Sequence, residues 1–260
     1  MTINESLQTR EKSTFTRNAS SERKGVAKTN SIKATARIAG LLYLSLIPLG
    51  VFGILYVPSI IIVPGDMAAT VNNIMANESL FRLSILSAIA VQIINIFVVL
   101  LLYKILKPAS KNHAVLMVIF ILLGIPIAFL NELNHFAVLQ VLSGAEYLAV
   151  FTADQLHALV PLFLDFHLAG INIAQVFWGL WLIPMGVLVF KSGYLPRFIG
   201  VLLVIGGFGY LVDSVIFFIF PSFGVTFSEF TFLGEFVIAL WLLIKGVNVE
   251  QWEKRALEAA

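Results

Sequence analysis

Nine polar side chains of this sequence lie within long apolar runs, where a charge costs several kcal/mol unless it is paired or hydrated. Buried groups of this kind bind ligands or ions, or hold helices together through hydrogen bonds. They are the candidate ligand-binding residues, and no catalytic residue or metal ligand is assigned among them. The nine are Arg82, Asn131, Glu132, His135, Asp165, His167, Asn172, Asp213 and Glu235.

Helical spacing predicts which of these side chains lie side by side. Asn131, Asn134 and His135 are three and four residues apart, so they share one face of a helix. Asp165 and His167 are two residues apart and point to nearly opposite sides. We therefore do not expect these last two residues to bind one ligand side by side.

Acidic groups outnumber basic groups among the candidates. Four carboxylates accompany one arginine and two histidines. Arg82 is expected to pair with Asp165 or Asp213, or to extend to the lipid headgroups. The remaining carboxylates must then be protonated, hydrated or neutralised by a bound cation.

The composition defines the environment of these residues. The chain has 260 residues, of which 59% are hydrophobic and only 12% are charged. A soluble domain carries about 25% charged residues, and a disordered chain combines low hydrophobicity with high charge. Both classes are excluded, and the sequence predicts an all-α, polytopic integral membrane protein.

Six apolar segments are close to the roughly 20 residues that a spanning helix needs. The tail 1–36 is polar and predicted to be disordered, and it holds eight of the 17 Lys and Arg residues. Links that contain Lys or Arg alternate along the chain with links that contain neither. This alternation predicts a plasma-membrane protein whose two termini, including the short tail 247–260, lie in the cytoplasm. The predicted membrane domain covers residues 37–246, and its six segments are 37–57, 80–103, 114–136, 162–190, 196–219 and 229–246.

The links on the outer side carry helix-start signals. Asp66 can cap a helix over 67–76, and Thr152 and Gln155 have capping-box spacing. Ser143 and Glu146 repeat that spacing. These signals predict short amphipathic helices that cover the outer face.

Enzyme motifs are largely missing from the sequence. It has no paired-histidine zinc motif, no nucleophile elbow, no phosphate-cradling loop and no cysteine. The leading hypothesis is therefore a non-enzymatic protein that binds a small molecule, lipid or cation in an outward-facing polar pocket. One alternative is a membrane-embedded metal-dependent hydrolase, prompted by His135, His167 and nearby acids; another is a structural partner whose polar residues hold helices together. The sequence leaves any cofactor unknown, predicts no nucleic-acid partner and is compatible with a homo-oligomer.

Three stretches of the sequence carry a family resemblance. They run from Ile62 to Arg82, from Leu162 to Gly170, and from Lys191 to Ser214. Together they resemble the bacterial multi-span membrane family known as domain of unknown function 4386, over roughly residues 35–245. The resemblance implies a helical integral membrane protein and supplies no mechanism. Its matching positions include Asp66, Arg82, Asp165, His167 and Asp213.

Overall fold

The computed structural model describes residues 31–259, which form a helical bundle without a strand in that range. The prediction of an all-α polytopic membrane protein is confirmed. Its helices, numbered along the chain, are α1 (Ser31–Ile61), α2 (Met67–Ala76), α3 (Glu78–Leu106), α4 (Lys111–Val141), α5 (Ala153–Ser192), α6 (Arg197–Ile219), α7 (Ser228–Ile244) and α8 (Val249–Glu258).

Five of the described helices, α1, α3, α4, α5 and α6, are individually long and apolar enough to cross a membrane. The shorter α7 reaches that length only together with α8, from which it is bent by 104°. The Trp252 indole of α8 donates to the Ile105 carbonyl, and Arg255 donates to the Lys191 carbonyl. Since α8 thus lies across the ends of α3 and α5, α7 alone is the sixth apolar helix.

The first helix begins within the segment that the sequence assigned to a disordered tail. Helix α1 includes Ser31 to Ala36, and Ile32 and Ala36 are buried in the main core. The helical spacing of apolar residues is hard to recognise in this segment, because Ile32 and Ala36 are separated by polar and small residues. The rest of the predicted tail, residues 1–30, lies outside the described residues.

The helix-start signals are only partly correct. Asp66 accepts a hydrogen bond from the Ala69 N–H and caps α2, as predicted. The capping box of Thr152 and Gln155 is also present, but it opens the 40-residue α5 rather than a separate surface helix. Between α4 and α5 there is only a short 3-10 turn, Glu146–Leu148. The long helix forms because no helix-breaking turn separates this cap from the apolar run that follows.

Helix α5 is the central helix of the bundle, packed closely against α4 and α6. A Cβ on Gly186 would lie 2.5 Å from the Gly200 carbonyl oxygen, and one on Gly179 would lie 2.6 Å from the Gly207 carbonyl oxygen. The backbones of α5 and α6 therefore touch at two levels. Small residues permit this approach, which maximises van der Waals contact where lipid provides no hydrophobic driving force.

Two hydrogen bonds to the backbone carbonyl of Ile105 close the end of the bundle at which α3 ends. The Tyr194 hydroxyl and the Trp252 indole donate to the Ile105 carbonyl oxygen at 2.9 and 2.8 Å. Burial raises the pKa of Tyr194, so the hydroxyl keeps its proton and remains a donor. This contact ties the α5–α6 link and α8 to the end of α3.

We expect Gly200→Ala to lower the free energy of unfolding by about 1–3 kcal/mol, because its Cβ meets the backbone of α5. The matched control is Gly50→Ala in α1, where an added Cβ has nothing within 4 Å. In the control, replacing a helical glycine should be neutral or stabilise by about 0.5–1 kcal/mol. Thermal unfolding of the detergent-solubilised protein measures both, and equal midpoints for the two variants would contradict the packing argument.

Candidate functional site

Three of the candidate side chains meet at one point between α4 and α5. His135 Nδ1 lies 3.2 Å from one carboxylate oxygen of Glu132, and His167 Nε2 lies 3.1 Å from the other. The two imidazole rings are stacked with centroids 3.4 Å apart and planes inclined by 21°. We call Glu132, His135 and His167 the Glu-His-His cluster.

Neighbouring residues fix the positions of this cluster. Asn131 donates a hydrogen bond of 2.9 Å to the His167 carbonyl and so joins α4 to α5. A Cβ at Gly170 would overlap the Asn131 amide, so the glycine makes room for this contact. On the third side, Phe81 of α3 packs edge-on against His135, with ring centroids 4.9 Å apart.

The cluster combines burial with metal-ligand chemistry. The three side chains are only 11–13% exposed, and each offers one ligand atom within 4.8 Å of the others. Imidazole and carboxylate are the usual protein ligands of zinc and related metals. The sequence assigned no metal ligand and offered a metal-dependent hydrolase built on His135 and His167 only as an alternative, because residues on separate predicted helices have no spacing that shows that they meet.

The cluster borders a cavity of about 370 Å³ between α1, α3, α4 and α5. Most of its wall is apolar, but Gln92 and Trp178 also line it. Among the described residues, the Gln92 side-chain oxygen and the Trp178 indole nitrogen are buried without a hydrogen-bond partner. Such groups are rare in folded proteins. Two residues of the cavity wall therefore carry a buried polar atom that has no hydrogen-bond partner.

Asp165 lines the same cavity as His167, although the two were expected on opposite sides of their helix. Asp165 is exposed, whereas His167 is nearly buried within the cluster. Both line the cavity because a cavity that partly surrounds a helix contacts more than one of its faces, and the expectation that they do not bind one ligand side by side stays a prediction.

Arg82 does not contribute to the cavity. It pairs with Glu78 one helical turn earlier, at 2.7 Å, and both side chains are about half exposed. Of the two alternatives for Arg82, the pairing with Asp165 or Asp213 is not present, and the extension to the lipid headgroups stays a prediction. A local partner on the same helix was overlooked because Glu78 lies just outside the predicted span 80–103.

Asp213 and Glu235 each have their own partners away from the cluster. The Asp213 carboxylate accepts from the backbone N–H groups of Phe227 and Ser228 at 2.6 and 2.8 Å. Glu235 accepts from the hydroxyls of Tyr43 and Tyr210 at 2.7 and 2.9 Å, joining α7 to α1 and α6. The carboxylates of the candidate set therefore do not converge in one pocket.

Asn172 also joins helices rather than lining the cavity. Its side-chain amide donates to the backbone carbonyl of Leu168 in the same helix, and its backbone carbonyl accepts from the Ser214 hydroxyl of α6. Conversely, Gln92 and Trp178 were missed by the sequence analysis. The burial cost that singled out the nine candidates also applies to a glutamine in the middle of an apolar span, and would have found Gln92.

We expect Asp213→Ala to lower the free energy of unfolding by about 1–3 kcal/mol, because two backbone N–H groups lose their acceptor. Arg82→Ala serves as the comparison, since an exposed pair one turn apart contributes only about 0.3–0.5 kcal/mol. Thermal unfolding of both variants is the measurement. A larger loss for Arg82→Ala would contradict these roles.

Comparison with known proteins gives the family of the chain. A family model described as a domain of unknown function, DUF4386, matches residues 38–246. An uncharacterized protein of Archaeoglobus fulgidus is 30% identical over 170 residues, which is 65% of this chain and 86% of that relative. No solved structure matches the chain. The resemblance seen in three sequence motifs is thus confirmed, and this apolar helical chain belongs to the DUF4386 family.

Proposed function

We propose that this protein binds a small, mainly apolar molecule with a hydrogen-bonding end, and that it does so without chemical conversion, as a receptor or carrier. The observation that supports this most is the cavity of about 370 Å³ between α1, α3, α4 and α5. Small-molecule sites are mostly apolar cavities of about 300–1,000 Å³ with a few convergent polar groups.

The wall of the cavity defines the class of ligand. Leu49, Val91 and Ile171 are examples of its apolar surface. Gln92 and Trp178 of the wall carry an acceptor and a donor without partners, and we propose that small side-chain movements bring these two atoms to the ligand. A hydroxyl or amide group can do both, so the ligand is an amphiphile that carries one of these groups.

Other observations support two alternative functions, a structural role and a metal-dependent hydrolase. Asp213, Glu235 and Asn172 have contacts that hold helices together, which favours a structural role for them alone. A metal-dependent hydrolase is the second candidate function, since the Glu-His-His cluster and Asp165 border one cavity. Incubation of the purified protein with amphiphilic esters and amides, with and without chelator, distinguishes hydrolysis from binding alone.

The cavity proposal predicts that Ala88→Leu abolishes ligand binding, because the larger side chain occupies the cavity that Ala88 lines. Ala90→Leu on the same helix is the matched control, since Ala90 is outside the cavity wall. Native mass spectrometry with a panel of hydroxyl- and amide-bearing amphiphiles measures binding. Equal binding by both variants, or no binding by the wild type, would contradict the proposal.

The polar end of the ligand is tested at Gln92. Gln92→Leu should weaken binding by a few-fold to about tenfold, as expected for the loss of one hydrogen bond of about 1 kcal/mol. Asn95→Leu is the control, because Asn95 is also buried with an unpartnered oxygen but does not line the cavity. The effect of Gln92→Leu should disappear for an amphiphile whose hydroxyl or amide is replaced by hydrogen.

We further propose that the chain lies in the plasma membrane with its termini in the cytoplasm, supported by the alternation of basic and Lys/Arg-free links. Because the chain has no cysteine, single-cysteine variants report their side unambiguously. A membrane-impermeant maleimide should label Ser143→Cys and Ser222→Cys in intact cells, and Asn112→Cys only after lysis. All three positions are exposed. The reverse labelling pattern would contradict this orientation.

A further inference from the structure

We infer that Glu132, His135 and His167 bind one divalent transition-metal ion of the zinc class at the wall of the cavity. Each residue contributes one ligand atom, from α4 twice and from α5 once. Because the cluster borders the cavity, a further coordination position of the ion is open to it.

The distances in the cluster are close to those of a coordination sphere. A tetrahedral zinc ion with bonds of about 2.0–2.2 Å holds its ligand atoms about 3.3–3.5 Å apart. His135 lies 3.2 Å from one Glu132 oxygen and His167 lies 3.1 Å from the other, and the three ligand atoms, one from each residue, lie within 4.8 Å of one another. A bound ion replaces these two hydrogen bonds, and the stacked imidazole rings must turn so that one nitrogen of each faces the ion.

The types of ligand atom in the cluster determine which metal ions it prefers. Two imidazoles and one carboxylate suit Zn²⁺, Co²⁺, Ni²⁺ and Fe²⁺, whereas Mg²⁺ and Ca²⁺ prefer oxygen ligands. Three protein ligands with one open position are typical of zinc sites that keep a water or bind a second molecule. The chain has no cysteine, so a thiolate site cannot compete for the ion.

The charge of the cluster favours a cation. Within residues 31–259, no lysine or arginine forms an ion pair with Glu132, and its hydrogen-bond partners are the two imidazoles. A divalent ion compensates a nearly buried carboxylate more strongly than neutral imidazoles do.

The surrounding helices position the cluster before any ion arrives. The hydrogen bond from Asn131 to the His167 carbonyl fixes α5 beside α4, and Phe81 restrains the His135 ring. Ligands on packed helices lose little conformational entropy on binding, which strengthens a metal site. Metal binding in this form needs no amphiphile in the cavity, so the inference does not rest on the proposed function.

The test uses the full-length protein in detergent, stripped with chelator and dialysed, then titrated with Zn²⁺ or Co²⁺ alone. We expect one ion per chain by elemental analysis and the intense visible absorption of four-coordinate Co²⁺. Glu132→Gln, His135→Gln and His167→Gln should each weaken binding at least tenfold. His113→Gln and His157→Gln are the matched controls, because these two complete the four histidines of the chain and lie outside the cluster.

The outcomes separate this inference from the cavity proposal. Absence of stoichiometric metal in the folded wild type overturns the metal site, and so does equal loss in the cluster and control variants. Ala88→Leu should keep its metal while it loses the amphiphile, so a failure of amphiphile binding leaves the metal result intact. A wild type that binds Co²⁺ only with the weak spectrum of the hydrated ion also overturns the inference.

Discussion

The close packing of α5 against its neighbours is the constraint on which the rest of the structure depends. On one side, glycines bring the backbones of α5 and α6 into contact at two levels. On the other, Gly170 admits the Asn131 side chain, which bonds to the α5 backbone at His167. Without this approach His167 would not reach Glu132, because a hydrogen bond tolerates a displacement of only a few tenths of an ångström.

The polar groups inside the bundle form two sets, according to the helices between which they lie. Those between α1, α6 and α7 are satisfied within the protein: Glu235 holds two tyrosines, and Asp213 caps the start of α7. Those between α3, α4 and α5 border the cavity, where Gln92 and Trp178 are left without partners. A fully satisfied polar network stabilises a bundle, whereas unpaired groups beside a cavity favour a binding site.

The Glu-His-His cluster is the chemically most capable part of the cavity wall. Its carboxylate and imidazoles border a cavity whose wall is mainly apolar. In such surroundings electrostatic and coordinate interactions are stronger than in water. Asp165 also lines this cavity and is exposed. Residues of α1 and α3, Gln92 among them, form another part of the mainly apolar wall.

The sequence by itself determined the all-α membrane class, the approximate positions of the long apolar helices and the caps at Asp66 and Thr152, because hydrophobicity, length and capping depend on residues close together in the chain. It also selected Glu132, His135 and His167, since the cost of burying an ionisable group depends only on its apolar surroundings. Only the tertiary structure decided which candidates meet. His167 joins Glu132 across two helices, while Asp213 and Glu235 find other partners. Contacts between helices depend on their rotation and separation, which arise from packing over the whole bundle and leave no periodic signal in one sequence.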